Sequence, residues 1–151
     1  MNKIAIFPGS FDPYTKGHDD IVRRSLDLVD EVIIGIGYNS AKNKRYFDID
    51  FMVEKIESVY TNEPRVKVIT YNELTATLAK KLGASIIIRG LRNTTDFEYE
   101  NSISQINRHL NEELETIFLI TSPKYASVSS TIIREVHRYD GDVNEFLPYN
   151  L

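Results

Sequence analysis

Apolar residues along this chain fall in short unbroken runs that alternate with stripes of helical spacing. Ile4-Ala5-Ile6-Phe7 has the continuous apolar character of a strand buried on both faces. Pro8, Gly9 and Pro13 follow closely, which predicts that the strand stops at Phe7 and that no helix begins before Gly17. Beyond Gly17 the apolar positions Ile21, Val22, Leu26 and Val29 form one helical stripe. Glu31-Val32-Ile33-Ile34-Gly35-Ile36-Gly37 is a second buried strand, followed by a polar loop over residues 38–47. Asp48 is placed to cap a helix whose apolar face is Ile49, Met52, Val53, Ile56, Val59 and Tyr60.

Pro64 closes the next connection, and Arg65-Val66-Lys67-Val68-Ile69 is the third strand. A short helix around Leu74, Leu78, Ala79 and Leu82 follows, with Gly83 just past its end. Ser85-Ile86-Ile87-Ile88 is the fourth strand and runs into Arg89-Gly90-Leu91-Arg92. A longer helix spans about residues 95–112, its apolar row of Tyr99, Ile103, Ile106 and Leu110 assigned to core or a subunit interface. Thr116-Ile117-Phe118-Leu119-Ile120 is the fifth strand. A serine-rich loop over 122–130 precedes a helix over 131–139, and the tail has room for one turn around Val143, Phe146 and Leu147.

Five alternations of strand and helix imply right-handed crossovers and a parallel sheet covered on both faces. The expected fold class is therefore α/β: a single doubly wound, Rossmann-like domain over residues 1–151, with a five-stranded parallel sheet. In a 3-2-1-4-5 strand order the crevice opens between strands one and four. The segment 8–18 leaves the carboxyl end of strand one and Arg89 to Arg92 that of strand four. The 127–130 loop leaves strand five beside them, so three sequence-distant polar segments converge on one mouth.

Composition narrows the functional classes. There are no cysteines, which removes disulfides and thiolate chemistry and fits a reducing, cytoplasmic setting. A formal charge of -4 argues against a nucleic-acid partner. No apolar stretch reaches membrane-spanning length, and the start of the chain lacks the pattern of a secretory leader. His18, His109 and His137 have no metal-ligand spacing, so no protein metal site is expected.

Gly35-Ile36-Gly37 lies inside a strand and lacks the third glycine of a dinucleotide fingerprint, and no Walker A pattern is present. What remains is a loop bearing Ser10, Thr15, Lys16 and His18 at a helix start, where free N–H groups attract anions. His18 in isolation is equally well a cap-region residue; beside Thr15, Gly17 and Ser10 it points to phosphate contact, in a protonation state left open. Arg89 and Arg92, flanking Gly90, fit anion clamping. Lys42, Lys44 and Arg45 form a charged run of which one or two reach the site. Among Ser127, Ser129, Ser130 and Thr131 one caps a helix, and a second phosphate cradle is the alternative. Glu98 and Glu100 are read as solvated rather than catalytic, and His109 and His137 are assigned to structure.

Taken together, Pro8-Gly9-Ser10-Phe11-Asp12-Pro13, Thr15-Lys16-Gly17-His18, Ile88-Arg89-Gly90-Leu91-Arg92, Asp96-Phe97-Glu98-Tyr99-Glu100, Asn107-Arg108-His109-Leu110 and Val128-Ser129-Ser130-Thr131-Ile132-Ile133-Arg134 resemble the bacterial phosphopantetheine adenylyltransferases of the nucleotidylyltransferase superfamily. The resemblance implies adenylyl transfer from ATP to 4′-phosphopantetheine, giving dephospho-coenzyme A and pyrophosphate with Mg2+ present. It further implies a homohexamer inhibited by coenzyme A. By the same likeness His18, Ser10, Lys42 and Arg92 are catalytic. Ser10, Phe11, His18, Gly90, Leu91, Arg92, Glu100, Tyr125, Ala126, Ser127, Val128, Ser129, Ser130 and Thr131 contact ATP. Ser10, Lys42, Thr75 and Arg89 take the acceptor.

Several positions depart from the family pattern. Serine stands at position 10 where relatives often carry threonine, and it keeps the hydroxyl. The basic loop is one residue longer before Phe47, making Lys44 a rival to Lys42. Asp48-Ile49-Asp50-Phe51-Met52 replaces the family's Glu-Glu-Arg run, and the C-terminus is short. Rival readings are another nucleotidylyl transfer, to a mononucleotide or an alcohol phosphate, and a non-catalytic adenine-nucleotide sensor.

Overall fold

A computed structural model of the chain describes residues 2–39 and 44–151. Its strands are β1 (Ile4–Gly9), β2 (Glu31–Gly37), β3 (Val66–Tyr71), β4 (Ile86–Leu91) and β5 (Glu115–Ile120). Its helices are α1 (Lys16–Ser25), α2 (Ile49–Val59), α3 (Thr75–Leu82), α4 (Thr94–Leu110) and α5 (Ser130–Arg138), with 3-10 turns at Pro123–Tyr125 and Asn144–Phe146. The strands form one parallel sheet in the order β3-β2-β1-β4-β5, the doubly wound arrangement the alternation predicts.

Alternation along β1 divides the core. Ala5 and Phe7 join Val32, Ile34 and Ile88 beneath α1 and α2, where Ile21, Val22, Met52 and Ile56 are buried. Ile6 and Ile87 face the other way, onto Ala76, Leu78 and Ala79 of α3. A third, small cluster of Ile133, Val143 and Leu147 seats α5 against the tail.

The two strands that flank the crevice run further than the apolar pattern suggests. β1 continues through Pro8 and Gly9, paired with Gly35 and Ile36 of β2. Pairing of β1 with β4, by contrast, covers only Ala5 with Ile86 and Ile6 with Ile87. The Pro8 carbonyl accepts a hydrogen bond from the Arg89 side chain, so this residue's missing N–H faces the side where the ladder has already parted. A proline is tolerated there because no ladder bond is lost. β4 likewise continues through Arg89, Gly90 and Leu91, held by β5 alone.

Local signals set the helix ends. Asp48 accepts from the N–H groups of Asp50 and Phe51, Ser129 caps α5, and Gly83 ends α3 at φ 67. Leu74, expected on the apolar face of α3, instead precedes that helix and is exposed. The row on α4 is not core: Tyr99, Ile106 and Leu110 are more than half exposed, and Glu100 is the residue of this helix that is buried.

Candidate active site

Where β1 and β4 part, a cavity of about 310 Å³ opens at their carboxyl ends. Ser10, Phe11, His18, Arg89, Gly90, Arg92, Glu100, Tyr125, Val128, Ser129, Ser130 and Thr131, all expected at the site, line it. A second cavity of about 210 Å³ adjoins it and shares Pro8, Gly9, Ser10, Arg89 and Glu100. Its far side carries Tyr71, Thr75, Ile103 and Asn107.

Thr15 builds the mouth of α1. Its hydroxyl accepts from the His18 backbone N–H at 3.3 Å, and its own N–H donates to His18 Nδ1 at 2.9 Å. This reciprocal pair is a capping box with histidine in the role usually taken by Glu or Gln. Because Nδ1 accepts a backbone proton, the neutral ring carries its own proton on Nε2. That N–H has no hydrogen-bond partner among the described residues, and the ring lines the cavity. Burial lowers the imidazole from 6.5 to about 3, with Arg89 and then Arg92 adding to the fall. His18 is thus a neutral donor in the free protein. Its ring stacks on Tyr14 at 5.3 Å and meets the edge of Phe11 at 5.0 Å, which fixes its plane.

Arg89 belongs to the wall between the two cavities. Its Nε donates to Glu100 Oε2 at 2.8 Å, Nη2 to the other carboxylate oxygen, and Nη1 to the Pro8 carbonyl. Glu100, placed beside the nucleotide by the resemblance and in solvent by the helical pattern, is buried as the bidentate partner of Arg89. Its position seven residues past the Asn93 N-cap faces the sheet end, a long-range pairing that the helical pattern does not reveal. Arg92 is more exposed and is steadied by Asp96 at 3.2 Å.

The third loop is tied down from both directions. Ser122 donates to Asp20 of α1 at 2.6 Å, and Ser130 donates to the Pro13 carbonyl at 2.7 Å. Leu91 points into the core and is buried, and Ala126 and Ser127 are exposed; none of the three lines a described cavity. Thr75 lies in the second cavity, its hydroxyl 2.9 Å from that of Tyr71. Lys42 lies outside the described residues, whereas Lys44 lines a third cavity with Ser10, Arg45 and Arg134. His137 bonds the Tyr46 hydroxyl at 2.7 Å, a structural contact, and His109 sits exposed in the last turn of α4.

Asp96 and Thr121 line the first cavity without having been anticipated. For Asp96 the signal was its spacing of four from Arg92; Thr121 follows a strand end with nothing to mark it. Among the described residues no cluster of His, Asp and Glu is arranged to hold a metal ion. Both carboxylates of the cavity are already paired with arginine.

A basic, histidine-bearing cleft at the switch point of an open parallel sheet defines a nucleotide-handling α/β protein, and the cytidylyltransferase-like family profile matches residues 6–136. The fold is shared with a solved bifunctional NMN adenylyltransferase/ADP ribose pyrophosphatase from Francisella tularensis, at TM-score 0.74 and 18% identity. That similarity covers 100% of this chain and 46% of the Francisella one. A phosphopantetheine adenylyltransferase of Cytophaga hutchinsonii is 62% identical over 151 residues, the full length of both chains. One from Bacteroides fragilis is 50% identical, covering 95% of each chain, and one from Lachnoclostridium phytofermentans is 47% identical, covering 99% of this chain and 91% of its own. The chain belongs to the phosphopantetheine adenylyltransferase family of nucleotidyltransferases.

Proposed function

We propose that the chain transfers the adenylyl group of ATP to 4′-phosphopantetheine, giving dephospho-coenzyme A and pyrophosphate. The observation that carries this reading is the pair of adjoining cavities divided by Ser10, Arg89 and Glu100. One holds the helix mouth, His18, Arg92 and the 128–131 segment and suits a nucleotide triphosphate. The other holds Thr75 and suits the acceptor, with its phosphate at the dividing wall.

An acceptor phosphate monoester is already anionic near neutral pH and needs no general base. Its oxygen would attack the α-phosphorus in line, forming the new P–O bond as the bond to the β-phosphate oxygen breaks and pyrophosphate departs. Catalysis then consists of alignment and of preset donors around the transferring group. His18 Nε2–H donates to a phosphoryl oxygen without first losing or gaining a proton. Arg92 and, by the family likeness, Lys42 supply charge, and Ser10 supplies a hydroxyl at the junction.

The paired carboxylates do not build a resident metal site. Mg2+ is proposed as part of the substrate, chelated by the triphosphate and water. A homohexamer is supported by the exposed apolar row of α4, which a subunit contact would cover. Inhibition by coenzyme A and a cytoplasmic setting complete the reading; no described helix is long and apolar enough to cross a membrane.

Pyrophosphate release by purified protein with ATP and Mg2+ tests it, using 4′-phosphopantetheine, nicotinamide mononucleotide and glycerol 3-phosphate as rival acceptors and CTP as a rival donor. Release with 4′-phosphopantetheine and ATP alone is expected. Preference for another acceptor overturns the substrate assignment, and no release with any of them makes the chain a sensor.

A further inference from the structure

Arg45 is the member of the basic run whose every guanidinium nitrogen is engaged with a backbone carbonyl. Nε donates to Phe47 at 3.0 Å, Nη2 to Phe11 at 3.1 Å, and Nη1 to Ser10. The opposite loop returns the contact. Asp12 accepts from the N–H groups of Tyr46 and Phe47, each at 2.8 Å, and its carboxylate lies 3.8 Å from Arg45. Both side chains are largely buried, at 12% and 13% exposed. Arg134 of α5 adds a bond to the Asp12 carbonyl at 2.7 Å.

The turn so held is not one the backbone would choose. Phe11 stands at φ 46, a left-handed conformation that a bulky residue adopts only at a cost in strain. Ser10, next to it, lines all three cavities around the site. We infer that Arg45 is a positioning residue: it clasps the Ser10 and Phe11 carbonyls and thereby sets the Ser10 hydroxyl where nucleotide and acceptor sides meet and the Phe11 ring against the nucleotide side. It does so without touching either substrate. A lysine keeps the charge but cannot reach three carbonyls with one planar fork. The inference rests on the proposed reaction for its kinetic consequence, though not for its structural one.

Arg45→Lys and Arg45→Ala test it, by steady-state kinetics and by amide hydrogen exchange of the ligand-free proteins. Misalignment at the junction should lower kcat at least tenfold in both, with the KM for ATP moving less than threefold. Guanidinium ion added to Arg45→Ala should restore a substantial part of the loss. Exchange should quicken in the segment 9–12 and stay unchanged in α2 and α3. Kinetics within twofold of the parent in Arg45→Lys, or exchange unaltered in segment 9–12, would overturn the clasp. So would failure of both variants to fold, which would assign Arg45 to the fold instead of the site. If the parent releases no pyrophosphate while exchange changes as stated, the proposed reaction fails and the clasp stands.

Discussion

Thr15 and His18 hold each other by two opposed hydrogen bonds, the His18 backbone N–H to the Thr15 hydroxyl and the Thr15 N–H to His18 Nδ1. The same pair that caps α1 therefore also chooses the tautomer of the ring facing the cavity. Helix capping and proton placement come from one three-residue spacing.

The low value of His18, about 3 against 6.5 unfolded, has a pH consequence. Above pH 6.5 the ring is neutral in both states and charges nothing against folding. Between 6.5 and 3 the unfolded chain takes up the proton first, so stability falls as pH falls. Denaturant titrations should show His18→Gln losing less stability than the parent from pH 7 to pH 4. Nitrogen-15 spectra of the imidazole should show the Nε2–H tautomer and no titration of the free protein between pH 5 and 8.

His18→Ala should lower kcat by about 10²–10³-fold, the usual effect of removing one preset donor. ATP affinity measured by calorimetry should change only a few-fold. Turnover left intact would take His18 out of the reaction.

Glu100 fixes Arg89 from a buried position, so the two should fail differently. Glu100→Ala should destabilise by about 1–3 kcal/mol, less than a fully buried pair because Arg89 is 28% exposed. Arg89→Ala should act on binding and raise the KM for the phosphorylated acceptor while that for ATP barely moves. Calorimetric melting and steady-state kinetics separate the effects; a shift in ATP affinity alone would reverse the roles given to the two cavities.

A methyl group on Gly9 would lie 2.8 Å from the Phe11 ring, too close to be absorbed without movement. Phe11 packs edge-on to His18, so Gly9→Ala should disturb both and depress kcat together with stability, by about 1–3 kcal/mol. Gly83→Ala is the contrast. It meets open space but forces a side chain to φ 67, and should cost about 1 kcal/mol with kcat unchanged.

Much of this was legible along the chain because the signals are local. The parallel, doubly covered sheet follows from alternation, and Asp48, Ser129 and Gly83 mark helix ends by the local chemistry of one residue. Pro8 and Arg89 misled, since hydrophobicity stops where backbone pairing continues; a strand paired on one side tolerates what a fully paired one does not. For Glu100 the family likeness marked the site but not the partner. Nothing in α4 announces that a carboxylate on an otherwise polar turn is opposite a guanidinium on another element. Arg45 sat in plain view as one of a charged run, but two of its three carbonyl partners are 34 and 35 residues away.

The brief contact between β1 and β4 has a wider meaning. The vacancy that receives substrates is a consequence of connectivity, fixed wherever two neighbouring strands send their chains to opposite faces. Side chains furnish that hollow but do not create it. New chemistries can accordingly be installed by refurnishing a few wall positions, with the framework that folds the molecule left alone.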